Sequence, residues 1–446
     1  MQFKKFGIVL LGILQAALAY GQGKTITLDE ARTLAMERNL SIAQSQNNIE
    51  SAHATALAAT GNYLPTLSAS AAWNRSRTIS NASFFDRTTQ TFAVGRSYGS
   101  SVSAGIDLNY TIFDGLSREG TMKRASSAAV ATEQTALRTR QDIGFSVESA
   151  YLNVLRNEQL VKVSEENLKR DNRQLERITE SNRVGALSLA DVYRQQSQVA
   201  NDELGLINAQ SNYDKARADL IALIGLDVAE DYVIADPSVS TELQQAELDS
   251  ALNAYKNFNA LSARALEQRP DFIAAAENYN ATEGGVTSAR SGYMPRVNAS
   301  AGYGWNGDAF ATIADRKSLT WGVSVQWNIF DGFGTNQALQ SAEVQRRNAE
   351  LAKAQAQRNI NVEVKKAMLD LDAARKQYDV SQKGVVSATQ DHRIAEERYN
   401  LGAGTLLDLL IASANLVNAQ ANKVNASYNF ITAKRNVEYV LGERIY

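Results

Sequence analysis

The sequence predicts a mostly α-helical protein carrying a membrane β-barrel, built from two pseudo-repeats that each join long coiled-coil helices to a two-stranded hairpin. Three observations predict it: an export signal, a self-similarity at constant offset, and two alternating strand pairs set between long stretches free of Pro. The export signal comes first. Lys4 and Lys5 form a short basic region, and Phe6 to Ala17 form an apolar run broken only by Gly7, Gly12 and Gln15. Ala17-Leu18-Ala19, or else Ala19-Tyr20-Gly21, supplies a small-x-small cleavage pattern, so residues 1–21 are read as a signal peptide and set outside the fold. A run this short does not span a bilayer. With no Cys behind it, the mature terminus is not expected to carry a lipid.

The mature chain is written twice. Phe113-Asp114-Gly115 recurs 217 positions later as Phe330-Asp331-Gly332. At that offset Gly185-Ala186 meets Gly402-Ala403, Asp191 meets Asp408, Asn208-Ala209 meets Asn425-Ala426 and Gly225 meets Gly442, with no gap. Upstream the offset is 230, pairing Tyr63-Leu64-Pro65 with Tyr293-Met294-Pro295. The 13-residue difference is expected in a longer hairpin loop of the first copy. The chain thus divides into a first repeat over 22–226, a connector over 227–247 that is acidic and holds Pro237, and a second repeat over 248–446.

Each repeat holds a strand pair. Val102, Ala104, Ile106, Leu108, Tyr110 and Ile112 alternate with Ser101, Ser103, Gly105, Asp107, Asn109 and Thr111. Leu319, Trp321, Val323, Val325, Trp327 and Ile329 alternate with Thr320, Gly322, Ser324, Gln326 and Asn328. Weaker alternations precede them, Leu67 to Trp73 and Val297 to Trp305, each just after a proline, where a strand can begin without that N–H. Strands are expected near 66–75, 98–113, 296–306 and 318–330. Apolar on one face, Ser/Gly/Asn on the other and tipped with Trp and Tyr, they match a transmembrane barrel better than a soluble sandwich edge.

The rest reads as helix. Thr27 with Glu30 forms a capping box at the first one. Arg118–Arg183 and Asn336–Asn400 contain neither Pro nor a turn cluster. Apolar residues recur every seven positions: Val147, Val154, Val161, Leu168, Leu175, then Val192, Val199, Leu206, Tyr213, Leu220, and in the second copy Val364, Leu371, Tyr378, Val385 and Leu410, Val417, Val424, Ile431. A strict seven-residue repeat implies left-handed supercoiling of paired helices. At 1.5 Å per residue, a helix of about 65 residues runs about 100 Å, beyond a compact domain.

Composition narrows the function. A mean hydropathy of -0.30 and the lack of a long apolar run after residue 20 exclude a polytopic helical membrane protein. No Cys and only two His, His53 and His392, leave no thiolate or His-based metal site and no cofactor site, and no catalytic residues are expected. With 46 Lys+Arg against 48 Asp+Glu there is no footprint for nucleic acid. Gly302-Tyr303-Gly304-Trp305-Asn306-Gly307 spells G-x-G-x-x-G but lies within an alternating strand and opens no helix, so it is not a dinucleotide site. His392 holds the heptad position of Leu175 and reads as a packed seam residue, with pH sensing as the other reading. The first hairpin loop, Asn74 to Gly95, sets Arg75, Arg77 and Arg87 against Asp86; a solvated loop and contact with anionic headgroups both fit.

Four strands cannot close a membrane barrel, which needs about eight and no open edge. Two copies would give eight strands with a filled lumen and three would give twelve with room for a pore. Hydrogen bonding thus demands an oligomer without choosing between them.

The signal peptide, the duplicated helix–hairpin–helix unit, strand entry after Tyr-x-Pro, exit through Phe-Asp-Gly and a Gly-bearing helical turn followed by Asp together resemble the TolC-type outer-membrane efflux channel family (outer membrane factors) over about residues 24–446. The resemblance implies a homotrimer with a 12-stranded barrel in the outer membrane of a Gram-negative bacterium and an α-helical tunnel in the periplasm. It implies docking to a periplasmic adaptor (membrane fusion protein) and an inner-membrane pump such as an RND or ABC transporter. Outer-membrane lipid is a further expected partner.

Function is expected at the two helical turns, Val184-Gly185-Ala186-Leu187-Ser188 and Leu401-Gly402-Ala403-Gly404-Thr405. Gly185 and Gly402 suit a helix end, Ser188 and Thr405 can cap the next helix, and Asp191 and Asp408 fall in its first turn, where the macrodipole favours a carboxylate. Beside this structural reading, the resemblance implies that the turns form the periplasmic tip and contact the adaptor. Three copies of Asp408 would ring an entrance, raise one another's pKa and favour cations. Tyr399 would bond Asp191 as a latch. Gly404, where the family sometimes has a basic residue, and Ile411, at a second acidic position, depart from the pattern, so no double charge ring and no second latch are expected. The leading reading is a passive exit duct for a tripartite efflux or type I secretion system, opened by docking. The alternative is a barrel-anchored trimeric coiled-coil protein of structural or adhesive role. With no phosphate loop, energy would come from a partner, and cargo choice is expected to lie there too.

Overall fold

The computed structural model describes residues 24–88, 90–236 and 243–443, so the expected signal peptide and Pro237 lie outside the described residues. The elements run β1 (Lys24–Ile26), α1 (Leu28–Arg38), α2 (Leu40–Gly61), β2 (Thr66–Asp86), β3 (Thr91–Phe113), α3 (Ser117–Arg183), α4 (Leu189–Leu223), β4 (Tyr232–Ile234), α5 (Gln245–Ala254), α6 (Phe258–Gln268), α7 (Pro270–Arg290), β5 (Arg296–Gly307), β6 (Arg316–Gln326), α8 (Gly334–Asn400) and α9 (Leu406–Val440). The bounds of α3 and α4 return 217 positions later as those of α8 and α9. Even an uncommon backbone state is repeated: Leu116 and Phe333, at the same offset, both take positive φ, 71° and 70°.

The chain forms two compact units, and they cut across the two repeats. One gathers the described residues of Met1–Asn47, Gln134–Ile273 and Gln355–Tyr446; the other gathers Asn48–Glu133 and Ala274–Ala354. The physical reason is visible in the first unit. Val147, Tyr151 and Leu220 from the first copy share a core with Tyr428 from the second, so neither copy buries its apolar stripe alone. A second cluster joins Leu248 and Leu261 to Ile360, Leu371, Phe430 and Leu441. The capping box at Thr27 is present: Thr27 N–H donates to Glu30 Oε2 at 2.9 Å, and Glu30 N–H donates to Thr27 Oγ1 at 3.3 Å. Buried Arg269 is held by Asp271 and Glu363, each at 2.6 Å. The stretch expected as a connector or equatorial segment over 227–247 carries structure at both ends. β4 pairs in parallel with β1 (Lys24↔Tyr232, Ile26↔Ile234), and α5 begins at Gln245. Ile26 and Ile234 are both buried, which rewards a strand pair too short to leave a periodic signal.

The second unit is built on a four-stranded antiparallel sheet of order β2-β3-β5-β6. Its register sorts the side chains cleanly, because residues directly opposite share a face. One face carries Leu67, Leu108, Ala301 and Trp321 in one row and Ala69, Ile106, Tyr303 and Leu319 in the next. The other carries Ser70, Gly105, Gly304 and Ser318, then Ala72, Ser103, Asn306 and Arg316.

Two strand limits differ from the sequence reading. The hairpin of the first copy runs to Asp86 and resumes at Thr91, so most of Asn74–Gly95 is paired strand rather than loop, with an irregularity between Ile79 and Ser83. Backbone pairing there needs no apolar face to continue, which is why the fading alternation was misleading. The extra residues of the first copy lengthen its strands, not its turn. β6, by contrast, ends at Gln326, short of the expected limit at 330. Its partner among the described residues, β5, begins opposite it at Arg296 just after Pro295, whereas β3 reaches Phe113 with Val297 still beside it.

Helices α3 and α7 meet backbone to backbone in this unit. A Cβ on Gly284 would stand 2.5 Å from the Gly120 carbonyl oxygen and 2.6 Å from the Arg124 nitrogen, while one on Gly285 would meet nothing within 4 Å. Gly284→Ala should therefore lower stability by about 1–3 kcal/mol. Gly285→Ala should be neutral or raise it by up to about 1 kcal/mol. Thermal unfolding of the two single variants checks the contrast, and equal effects would contradict the close approach.

Candidate functional site at the paired helical turns

The two turns end and begin their helices in the same way. After α3, Gly185 takes φ +79°, the Gly185 N–H donates to Asn182 O at 2.8 Å and the Ala186 N–H donates to Ser181 O at 2.9 Å. After α8, Gly402 takes φ +71°, with Gly402 donating to Tyr399 O at 3.0 Å and Ala403 to Arg398 O at 2.8 Å. This is the Schellman closure, and its left-handed residue strains any side chain with a Cβ. The next helix starts at once. Ser188 Oγ accepts from the Asp191 N–H at 3.2 Å, and Thr405 Oγ1 accepts from the Asp408 N–H at 3.2 Å. Asp408 completes a capping box by accepting from the Thr405 N–H at 3.1 Å and hydroxyl at 2.8 Å. These bonds to Thr405 hold its carboxyl below the usual carboxylate range.

An apolar cluster joins the turns. Ile178, Val192 and Leu406 are buried together, with Leu175, Leu187, Tyr399 and Leu410 packed around them. Beside it lies a cleft of ≈ 680 Å³ bordered by Arg177, Val184, Leu187, Tyr399 and Gly402. Val184, Leu189, Leu401 and Leu407 remain exposed at the turns, a run of apolar side chains with no cover in the described chain. Arg177 bridges to Glu396 at 3.1 Å, tying α3 to α8.

The expected Tyr399–Asp191 hydrogen bond is not made within the described residues. Asp191 instead accepts from Ser188 Oγ at 2.8 Å and pairs with Arg194 at 3.3 Å. The Tyr399 hydroxyl is buried with no hydrogen-bond partner. Burial, and then the nearby Asp191 charge, raise its pKa. His392 is half-buried; desolvation lowers its pKa, so the neutral ring is the form held near pH 7. His53 pairs with Glu133 at 3.0 Å. Among the described residues, no group of three or more His, Cys, Asp or Glu is placed to hold a metal ion.

A polar layer near the turns escaped the sequence reading. Buried Asp171 on α3 shares a hydrogen bond with Asp202 on α4, and the fully buried Gln195 donates to the Asp171 carbonyl at 3.1 Å. Gln198 donates to Asp202 Oδ1 at 3.0 Å. Desolvation and the Asp202 carboxyl push Asp171 up to about 8. The signal was there: Asp171, Gln195 and Asp202 each sit three residues after a heptad Leu or Val, at the second inward position of a coiled coil. Their counterparts 217 positions on are Ala388, Ala412 and Ala419.

The profile of the family described as outer membrane efflux protein matches residues 31–226 and 261–443. The chain belongs to that family. It is an outer-membrane protein of a Gram-negative bacterium. Among relatives, it is 24% identical over 326 residues to the probable efflux pump outer membrane protein TtgC of Pseudomonas putida, covering 72% of this chain and 64% of TtgC. It is 22% identical over 352 residues to the outer membrane protein TolC of Escherichia coli, covering 76% and 69%. The chain thus spans somewhat less than two thirds of TtgC. The crystal structure of the outer membrane protein VceC from Vibrio cholerae superposes with a TM-score of 0.79 at 20% identity, covering 93% of this chain and 96% of that one, so the two share a fold.

The burial of Asp171 beside Asp202 predicts a stability of the helix pair that depends on pH. A carboxyl whose pKa is raised by folding binds a proton that the unfolded chain releases near its ordinary value of about 3.9. Its stabilisation is complete below that value and is lost as pH rises through about 8. The thermal midpoint should fall from about pH 5 to about pH 9, and Asp171→Asn should flatten that slope. An unaltered slope in the variant would remove Asp171 as its source.

Proposed function

We propose that the protein is the exit duct of an efflux or secretion assembly: a homotrimer whose three four-stranded sheets close a 12-stranded barrel, continued by an α-helical tunnel in the periplasm. One observation carries the reading. The sheet is apolar on one face and lined with Ser, Gly and Asn on the other, and among the described residues β2 and β6 each leave one edge unpaired. Backbone groups in hydrocarbon must be satisfied, so such a sheet is stable in a membrane only when copies pair edge to edge. A polar inner face then lines water rather than a packed plug. Membership of the outer membrane efflux protein family supports transport over the adhesive alternative.

The duct is passive on this reading, and its energy comes from an inner-membrane pump reached through a periplasmic adaptor. The exposed apolar side chains of the turns, Val184 and Leu401 foremost, suit an adaptor's tips. Asp408, held ionised by its capping bonds and exposed, forms the acidic ring at the entrance. The unbonded Tyr399 hydroxyl close to Asp191 is poised to form the latch in the assembled tip.

Planar-bilayer recording of the reconstituted protein tests the central claim: discrete conductance supports a duct, and a tight oligomer without conductance supports the adhesive reading. In the same assay Asp408→Asn should reduce cation preference several-fold, and unchanged selectivity would remove Asp408 from the entrance. Tyr399→Phe should raise resting conductance if the hydroxyl latches the tip. A resting current equal to wild type would dismiss the latch.

A further inference from the structure

The apolar face of the sheet ends in cations. On β2 it is formed by Leu67, Ala69, Ala71 and Trp73, and by strand alternation Arg75 and Arg77 continue the same face. On β6 it is formed by Val323, Trp321 and Leu319, and Lys317 continues it, directly opposite Trp305 of β5. Counted from Thr66, Arg75 is the tenth residue of β2; counted back from Gln326, Lys317 is the tenth of β6. A strand crosses the hydrocarbon in about 9–11 residues, so both cations stand where their strands leave it. Below them, this face carries no charge from Leu67 to Trp73 or from Val102 to Leu108.

Aromatic side chains mark the same level. Trp73 is 58% exposed, and its ring centroid lies 6.2 Å from that of Phe310. The Arg77 guanidinium lies over the exposed Tyr98 ring, 5.7 Å from its centroid, which holds the charge against the sheet. Trp and Tyr beside basic residues is the composition of a membrane–water interface. The acids of the second hairpin's turn, Asp308 and Asp315, fall outside the paired strands. Arg316, next in sequence to Lys317, lies opposite Asn306 and so faces the polar side.

We propose that Arg75, Arg77 and Lys317 form a docking rim for a lipid headgroup carrying two phosphates, in the leaflet on the side of the hairpin turns. Arg75 and Arg77 stand two residues apart on one strand, about 7 Å, and each guanidinium can engage a phosphate with two parallel N–H donors. Resting on the barrel reading above, closure of β2 of one copy against β6 of the next brings Lys317 to the same headgroup as a third charge. Three cations against two phosphates match in charge, and the apolar face beneath receives the acyl chains. The occupant is thus a phosphorylated membrane lipid, not a free anion, because the cations crown a lipid-facing surface.

The test uses the full-length assembled protein in phosphatidylcholine nanodiscs doped with bisphosphorylated lipid A, monophosphorylated lipid A or phosphatidylglycerol, with retained lipid counted by native mass spectrometry. The wild type should retain the bisphosphorylated lipid over the other two. Arg75→Gln/Arg77→Gln/Lys317→Gln should weaken retention by about 100-fold, about fivefold per charge. Arg75→Lys/Arg77→Lys should keep most of it, and Arg316→Gln should keep all of it. Equal retention of all three lipids, an unaffected triple variant, or a loss in Arg316→Gln as large as in Lys317→Gln would overturn the proposal. Conductance of each variant reports assembly. A conducting wild type without lipid preference sinks the rim alone, whereas lipid retention by a non-conducting oligomer sinks the duct alone.

Discussion

The edges of β2 and β6, unpaired among the described residues, are the constraint from which the other features follow. An N–H or C=O without a partner in hydrocarbon costs several kcal/mol, and a strand edge presents a row of them. In water such an edge could be blunted with charge or proline. Here the four-stranded sheet is apolar on one face, so withdrawal into water would expose Leu67, Leu108, Trp321 and their neighbours together. On the proposed reading a closed barrel shared among copies satisfies both demands, and the duct is the consequence of that closure.

Away from the sheet, the same economy of backbone groups shapes the helical turns. Each long helix leaves carbonyls that Gly185 or Gly402 recovers by turning left-handed, and each following helix leaves N–H groups that Ser188 or Thr405 recovers. Asp408 is consumed in part by this role, since its carboxylate already accepts from Thr405 twice. A structural and a transport role are compatible for it, because capping leaves the charge in place and exposed. The turns also show where the two copies diverge. The first copy buries Asp171 and Gln195 and half-buries Asp202 where the second has alanines, so the raised carboxyl of Asp171 has no counterpart in the second copy.

Much of this was legible without coordinates because the signals are periodic or repeated. The capping box at Thr27, the long uninterrupted helices and the Gly-x turns are local features, decided by residues within one or two turns of each other. The Asp171 layer is legible in principle, as polar residues at inward heptad positions, but no repeat marks it, since Ala388, Ala412 and Ala419 stand at the counterpart positions. That Tyr399 makes no bond to Asp191 among the described residues was not legible. Whether a hydroxyl meets a carboxylate depends on side-chain rotamers and on competing partners, and here Ser188 and Arg194 hold Asp191.

From the sequence alone come the duplication, the element types and the two-faced strands, since each depends on residue order along one chain and on fixed periods of 2 and 3.6. Tertiary structure decided what depends on distant partners. β4 exists because Ile234 finds Ile26 to bury against, β6 stops because β5 begins at Arg296, and β2 continues to Asp86 because β3 pairs beside it. It also decided that the compact units cut across the repeats, for a helix stripe finds its cover wherever the matching stripe lies, whichever copy supplies it. Register, finally, sorted the cations by face: alternation assigns a face within one strand, but only pairing sets Lys317 beside Trp305, with Arg316 beside Asn306 and facing the other way.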